Sequence, residues 1–149
     1  MVLLKDLKMS EIFDGLTDVE LENIREMAKE KEYEAGKRIF EEKSIAKNLY
    51  LVLEGEVEIR MSRDKGGKQL PIETVEPGGI FGWSAVTEPY TFTAAAWTVK
   101  KSKFLVIDGE VLRDLFKKNN HIGFKIMTKI ASVISSRLRH MNQKFVNTL

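Results

Sequence analysis

The sequence predicts a mainly β chain with flanking helices: a double-stranded β-helix, or jelly-roll-like β-roll, entered through a short N-terminal helix and left through a long C-terminal one. Three observations predict it. After Gly36 apolar residues recur at every second position in short runs, turn-forming clusters separate those runs at intervals of roughly ten residues, and from Glu110 the apolar spacing lengthens to that of a helix. Strands do not alternate with helices, which argues against a doubly wound parallel sheet. A chain of 149 residues, 43% hydrophobic and 31% charged, is long enough to bury a sizeable core. One domain is expected over 1–149, with a helical part at 10–32, the roll at 33–109 and C-terminal helices at 110–149.

The first element is an amphipathic helix within Met9 to Lys31. Thr17 is its expected N-cap and Glu20 the capping-box partner, followed by Val19, Leu21, Ile24 and Met27 at near-helical spacing. Ile39 and Phe40 then mark a short strand, Leu49 to Leu53 a continuous apolar strand, and Val57, Ile59 and Met61 a strand alternating with Glu56, Glu58 and Arg60. The charged turn from Arg63 to Lys68, with Gly66 and Gly67, predicts a hairpin into Leu70, Ile72 and Val75. Glu76-Pro77-Gly78-Gly79 is a further turn, and strands follow at Phe92 to Val99 and Phe104 to Ile107.

Val111, Leu112, Leu115 and Phe116 form a short helix that breaks near Asn119-Asn120. A second helix begins about His121 and carries an apolar stripe from Ile122 to Phe145, on the order of 35 Å at 1.5 Å per residue. That exceeds one face of a small roll. The overhang calls for a partner helix, so Ile126, Met127, Ile130, Val133, Ile134, Leu138 and Met141 are expected at a homodimer interface. The alternative is that the stripe packs on its own roll.

Charge and composition narrow the function. From Val111 to Leu149 there are eight basic residues, Arg137 among them, and one acid, Asp114, while the first 110 residues are net acidic. A basic helix contacts nucleic acid or an acidic partner, or it is simply a solvated face, which the interspersed apolar residues favour. No apolar run approaches membrane-spanning length and the N-terminus lacks a signal-peptide pattern, so a cytoplasmic protein without membrane contact is expected. Zero cysteines exclude disulfides and thiolate metal sites. An enzyme of the cupin type needs two or three imidazoles and a carboxylate inside the roll. The two histidines, His121 and His140, lie in the helical part instead. No strand-region histidine is present to activate a serine, so neither catalysis nor any metal or other cofactor is expected.

Tyr33 to Phe40, Asn48 to Ile59 and Glu76 to Gly82 resemble, in order and spacing, the cyclic-nucleotide-binding domain family of the catabolite activators, kinase regulatory subunits and gated channels. The resemblance implies a stand-alone ligand-sensing domain, with Gly55 turning the chain between strands and Pro77-Gly78 setting the corner before the phosphate-binding cassette. It also implies that the Glu110–Asn120 helix is the movable element. Many members append a helix-turn-helix, and the chain has no such module, so sequence-specific DNA binding is not expected.

The cassette departs from the family. Where members place a ribose-binding Glu after Phe-Gly, this sequence has Trp83, and where they place the phosphate-binding Arg it has Phe92. No Lys or Arg occurs between Lys68 and Lys100, so no cation is expected beside a phosphate, and cyclic AMP or GMP should not bind in the usual way. The candidate ligand-binding residues are Phe81, Gly82, Trp83, Ser84, Ala85, Thr91, Phe92 and Thr93, with the amides around Gly82, Ser84 and Ala85 as donors. Two outcomes stay open: an aromatic-lined pocket for an unidentified small molecule, or Trp83 and Phe92 filling the old pocket in a dimeric scaffold that binds another protein. Trp97 is assigned to the core or the roll surface.

Overall fold

The computed structural model describes residues 1–64 and 67–149. A four-residue helix, α1 (Leu4–Leu7), and a 3-10 turn at Glu11–Phe13 lead into α2 (Asp18–Met27). The helix starts where the capping box requires. Thr17 Oγ1 accepts from the Glu20 amide at 3.2 Å, and Glu20 Oε1 accepts from the Thr17 amide at 2.9 Å.

The roll comprises β1 (Ala28–Tyr33), β2 (Arg38–Phe40), β3 (Asn48–Glu54), β4 (Val57–Ser62), β5 (Gln69–Val75), β6 (Ile80–Phe81), β7 (Ala95–Thr98) and β8 (Ser102–Asp108). They form two four-stranded antiparallel sheets, ordered β1-β8-β3-β6 and β2-β7-β4-β5. The mainly β roll with a short helix before it and a long one after it is thus observed. Gly66 and Lys65, at the tip of the expected hairpin, lie outside the described residues, but Ser62 does pair with Gln69 across its base.

The N-terminal helical part ends earlier than expected. Ala28 to Tyr33 is a strand, each of its residues in register with one of β8, and Lys103 of β8 pairs with Glu30 at 3.4 Å and Glu32 at 3.8 Å. Between Ala28 and Tyr33, which pack at its two ends, cross-strand charge pairs and the backbone ladder hold β1. The strand expected from Phe92 begins only at Ala95, because Phe92 turns in against Phe40.

Both apolar clusters follow from the two-residue period of a strand. Along β3, Leu49 and Leu51 face the helices while Tyr50 and Val52 face the roll interior; along β8, Leu105 and Ile107 divide from Phe104 and Val106 in the same way. These strands are continuous apolar runs because both faces are buried. Gly55 has φ +96°, and a Cβ there would stand 2.6 Å from the Ser102 backbone, so no other residue makes this turn without displacing β8.

The C-terminal part is α3 (Gly109–Lys118) and α4 (Asn120–Asn147). Asp108 caps α3, accepting from the amides of Glu110 and Val111. Asn119 stops α3 and caps α4, accepting from the Ile122 amide. The break near Asn119-Asn120 is as expected, and α4 runs to 28 residues.

The dimer expectation needs correction at two positions. Ile126 and Ile130 are fully buried with Ile122 in the cluster shared with Ile12 and Phe13, and Met127, Val133 and Ile134 are partly buried against it. The first half of the stripe therefore packs on its own roll. Along the second half exposure rises, Leu138 being 57% and Phe145 65% exposed.

Candidate functional site

Between the cassette and α4 lies a cavity of about 250 Å³. The roll supplies Phe40, Ile59, Ile72 and Phe81, the cassette supplies Gly82, Trp83 and Ser84, and α4 closes it with Ile134, Arg137, Leu138 and Met141. The rim is marked by exposed or half-exposed Met61, Thr93, Leu138 and Met141.

The cassette's shape begins at Gly82. Its φ of +80° ends β6 and turns the chain into a 3-10 segment, Trp83–Val86. A Cβ there would meet Asn48 O at 2.9 Å and Tyr50 Cδ1 at 3.0 Å, so the cassette can lie this close to β3 only as glycine. Its far end is braced by α3. Arg113 Nη1 donates to Ala85 O, and the guanidinium carbon stands 4.0 Å from the centre of the Tyr90 ring.

Six of the eight expected site residues line the cavity: Phe81, Gly82, Trp83, Ser84, Phe92 and Thr93. Ala85 and Thr91 do not. Ala85 is fully buried under α3 with Phe92 and Ala46, and its amide is already bonded to Gly82 O at 3.2 Å, so it is no free anion donor. The Thr91 hydroxyl turns back to Pro89 O at 3.4 Å. Phe92 stacks on Phe40, ring centres 3.6 Å apart and planes 7° from parallel, and fills part of the space without closing it. Trp97 lies away from the cavity, with the guanidinium carbons of Arg38 and Arg60 5.8 and 5.0 Å from its ring centre and its Nε1 donating to Gln69 Oε1.

The expectation of a pocket without a cation is overturned. Arg137, carried by α4, reaches the cavity wall with its side chain only 15% exposed. Nε stands 3.2 Å from Glu73 Oε1 of β5, Nη2 donates to Ile80 O, and the guanidinium carbon lies 4.6 Å from the Trp83 ring centre. Burial lowers the pKa of Arg137, the nearby Glu73 carboxylate acting in the opposite direction. Arginine stays protonated under such a shift, so the cavity wall carries a guanidinium ion-paired with Glu73.

Arg137 is not legible in the cassette because it lies far from it in sequence. A signal was present all the same. Ile130, Ile134, Arg137 and Met141 stand at steps of four, three and four, which puts a cation on the inward face of an otherwise apolar stripe. Among the described residues no group of three or more His, Asp or Glu gathers as metal ligands, and no helix is long and apolar enough to cross a membrane.

Residues 30–119 match the model of the cyclic nucleotide-binding domain. A crystal structure from Geobacter metallireducens GS-15, provisionally named a cyclic nucleotide-binding protein, is 34% identical with a TM-score of 0.83, covering 93% of this chain and 99% of that one. The catabolite activator protein of Thermus thermophilus shares the fold at TM-score 0.75 and 23% identity, over 93% of this chain and 63% of that one. A provisionally named potassium channel protein of Rhodopseudomonas palustris is 29% identical over 115 residues, 77% of this chain, and the chain spans only 27% of that relative's length. The matched span ends at Asn119, so Arg137 stands outside it. With its roll, its glycine-hinged cassette and its covering helices all in place, the chain belongs to the cyclic nucleotide-binding domain family.

Proposed function

We propose that the chain is a stand-alone, non-enzymatic regulatory domain that senses a small molecule in the cavity between cassette and α4. One observation carries this: the cavity is walled by both the cassette and α4, which Asn119 joins to the α3 helix expected to move, so an occupant touches the recognising element and the C-terminal helices at once. It would bias their packing in proportion to its preference for one arrangement. The cavity's two charged side chains, Glu73 and Arg137, are engaged with each other, which supports binding over catalysis. The Geobacter likeness, over 99% of that chain, supports the stand-alone role.

Cyclic AMP and cyclic GMP are expected to bind weakly. Trp83 and Phe92 stand where the family's carboxylate and cation would be, Ile59, Ile72 and Phe81 offer no partner to ribose or phosphate oxygens, and the guanidinium in the wall, Arg137, is already held by Glu73. The test is tryptophan fluorescence and thermal melting with cyclic AMP, cyclic GMP and a metabolite panel. Saturable binding of a cyclic nucleotide at micromolar concentration would refute this account of the cassette.

A second feature supports a homodimer. Phe124, Leu138 and Phe145 are exposed and, with Ala131, recur at sevens, with Met127, Ile134 and Met141 three residues after the first three of them, the pattern of a helical seam. In the scaffold alternative Trp83 and Phe92 fill the pocket and only this seam, or another protein on it, matters; the space left open beside both rings weighs against it. Sedimentation of native protein and of Leu138→Glu distinguishes a dimer from a monomer. Sequence-specific DNA binding forms no part of the proposal, the basic residues of α4 being solvated or paired.

A further inference from the structure

We infer that the cavity's ligand is a small amphipathic carboxylate whose head group takes Arg137 from Glu73 while its apolar body lies against Phe40, Ile59, Ile72 and Ile134. The inference rests on the ligand-sensing proposal and names the chemistry of the same site.

Arg137 is mostly buried, and a guanidinium has five N–H donors. Its described partners are Glu73 at Nε and Ile80 O at Nη2, with the Trp83 ring beside it. Planar, forked donors of this kind match a carboxylate or a phosphate, and the lining adds no second cation to hold a phosphate. A carboxylate already sits there: Glu73, at 3.2 Å, with a side chain 21% exposed. Being near water, it can leave for solvent when a second carboxylate arrives. The incoming one has an advantage Glu73 lacks, since the rest of its molecule fills an apolar space that the folded chain leaves open. The size of that space, about 250 Å³, lies below the usual range for drug-sized ligands and limits the body to a short chain or a single ring. Glu73 is on β5 and Arg137 on α4, so exchanging the partner of Arg137 also releases one tie between roll and helix.

The experiment uses the full chain with Trp97→Phe, leaving Trp83 as the fluorophore, and titrates octanoate, phenylacetate and their primary amides. Saturable change with a carboxylate and none with its amide is expected. Arg137→Met should weaken carboxylate binding by roughly tenfold or more, Arg137→Lys by less, and Glu73→Gln should tighten it roughly tenfold by removing the competitor. Melting curves verify that each variant is folded, and Glu73→Gln tests the inference even where Arg137→Met is not. Equal binding of acid and amide, unchanged affinity in folded Arg137→Met, or binding of cyclic AMP alone overturns the carboxylate while leaving ligand sensing intact. If no acid, amide, cyclic nucleotide or panel metabolite binds, the sensing proposal falls with it.

Discussion

Ile130→Ala separates the two halves of α4. Ile130 is fully buried in the cluster that joins α4 to Ile12, Phe13 and Leu112, so truncation leaves a void lined by side chains that cannot collapse freely. Replacing a buried Ile with Ala costs about 2–5 kcal/mol, and about 3 kcal/mol is expected here because the cluster is built from several separate elements that cannot close together on the void. For a chain of this size each kcal/mol moves the melting temperature by about 2–4 °C, so a fall of about 10 °C is predicted. Phe145→Ala is the control: at 65% exposure it should change monomer stability by less than about 0.5 kcal/mol.

The assay is thermal unfolding followed by circular dichroism across a hundredfold range of protein concentration. Loss of packing on the chain's own roll gives the same drop for Ile130→Ala at every concentration. Loss of a contact with a second copy gives a drop that grows at high concentration and vanishes on dilution. A melting temperature within about 2 °C of the parent at low concentration would refute the argument and return Ile130 to the dimer interface.

Three further predictions test the cassette and the helix start. Gly82→Ala places a side chain in the left-handed region and against Asn48 O, so a loss of about 2 kcal/mol is expected by denaturant titration. Arg113→Ala removes the brace on Ala85 O and Tyr90; amide exchange at Ala85 to Tyr90 should quicken by roughly tenfold while the strands stay protected. The Glu20 pKa is lowered, chiefly by accepting from the Thr17 amide and further by the Thr17 hydroxyl contact and the charges of His121 and Lys125. A depressed folded pKa gives stability that is complete above the ordinary carboxylate range and disappears as pH falls through the lowered value. Glu20→Gln should therefore flatten the acid limb of the melting-temperature profile, and an unaltered limb would remove Glu20 from the account.

The roll was legible because its strands are regular. Leu49 to Leu53 and Phe104 to Ile107 are apolar on both faces, and the glycines at 55, 78 and 82 mark turns that take positive φ. β1 was not legible, because Ala28-Lys29-Glu30-Lys31-Glu32 carries no apolar alternation and owes its form to pairing with β8, seventy-odd residues away. Lys43 shows the reverse case. No glycine marks a turn there, and the chain makes a left-handed turn anyway, φ +70°, with a lysine. The cassette's substituted residues could be read directly, whereas the cation that faces them could not: helical period places Arg137 on the inward face, but only the approach of α4 to β5 and the cassette makes it part of the same cavity.

That placement changes what recognition does. If a cassette held the charge, a ligand would bind the roll first and the helix would follow through packing. Here the charge belongs to α4, so a head group that takes Arg137 acts on the helix at its first contact. The head group is insufficient alone. Moving a two-state helix from 1:99 to 99:1 requires a preference of about 5.5 kcal/mol, and one charged hydrogen-bonded contact supplies about 1.5–3 kcal/mol, part of it cancelled by the Glu73 pair it replaces. The remainder must come from apolar contact with Ile134, Leu138 and Met141, which are on the same helix and line the same cavity. A ligand too short to reach them would bind Arg137 and leave α4 where it is, so along a series of carboxylates binding and helix movement should part company at the shorter lengths.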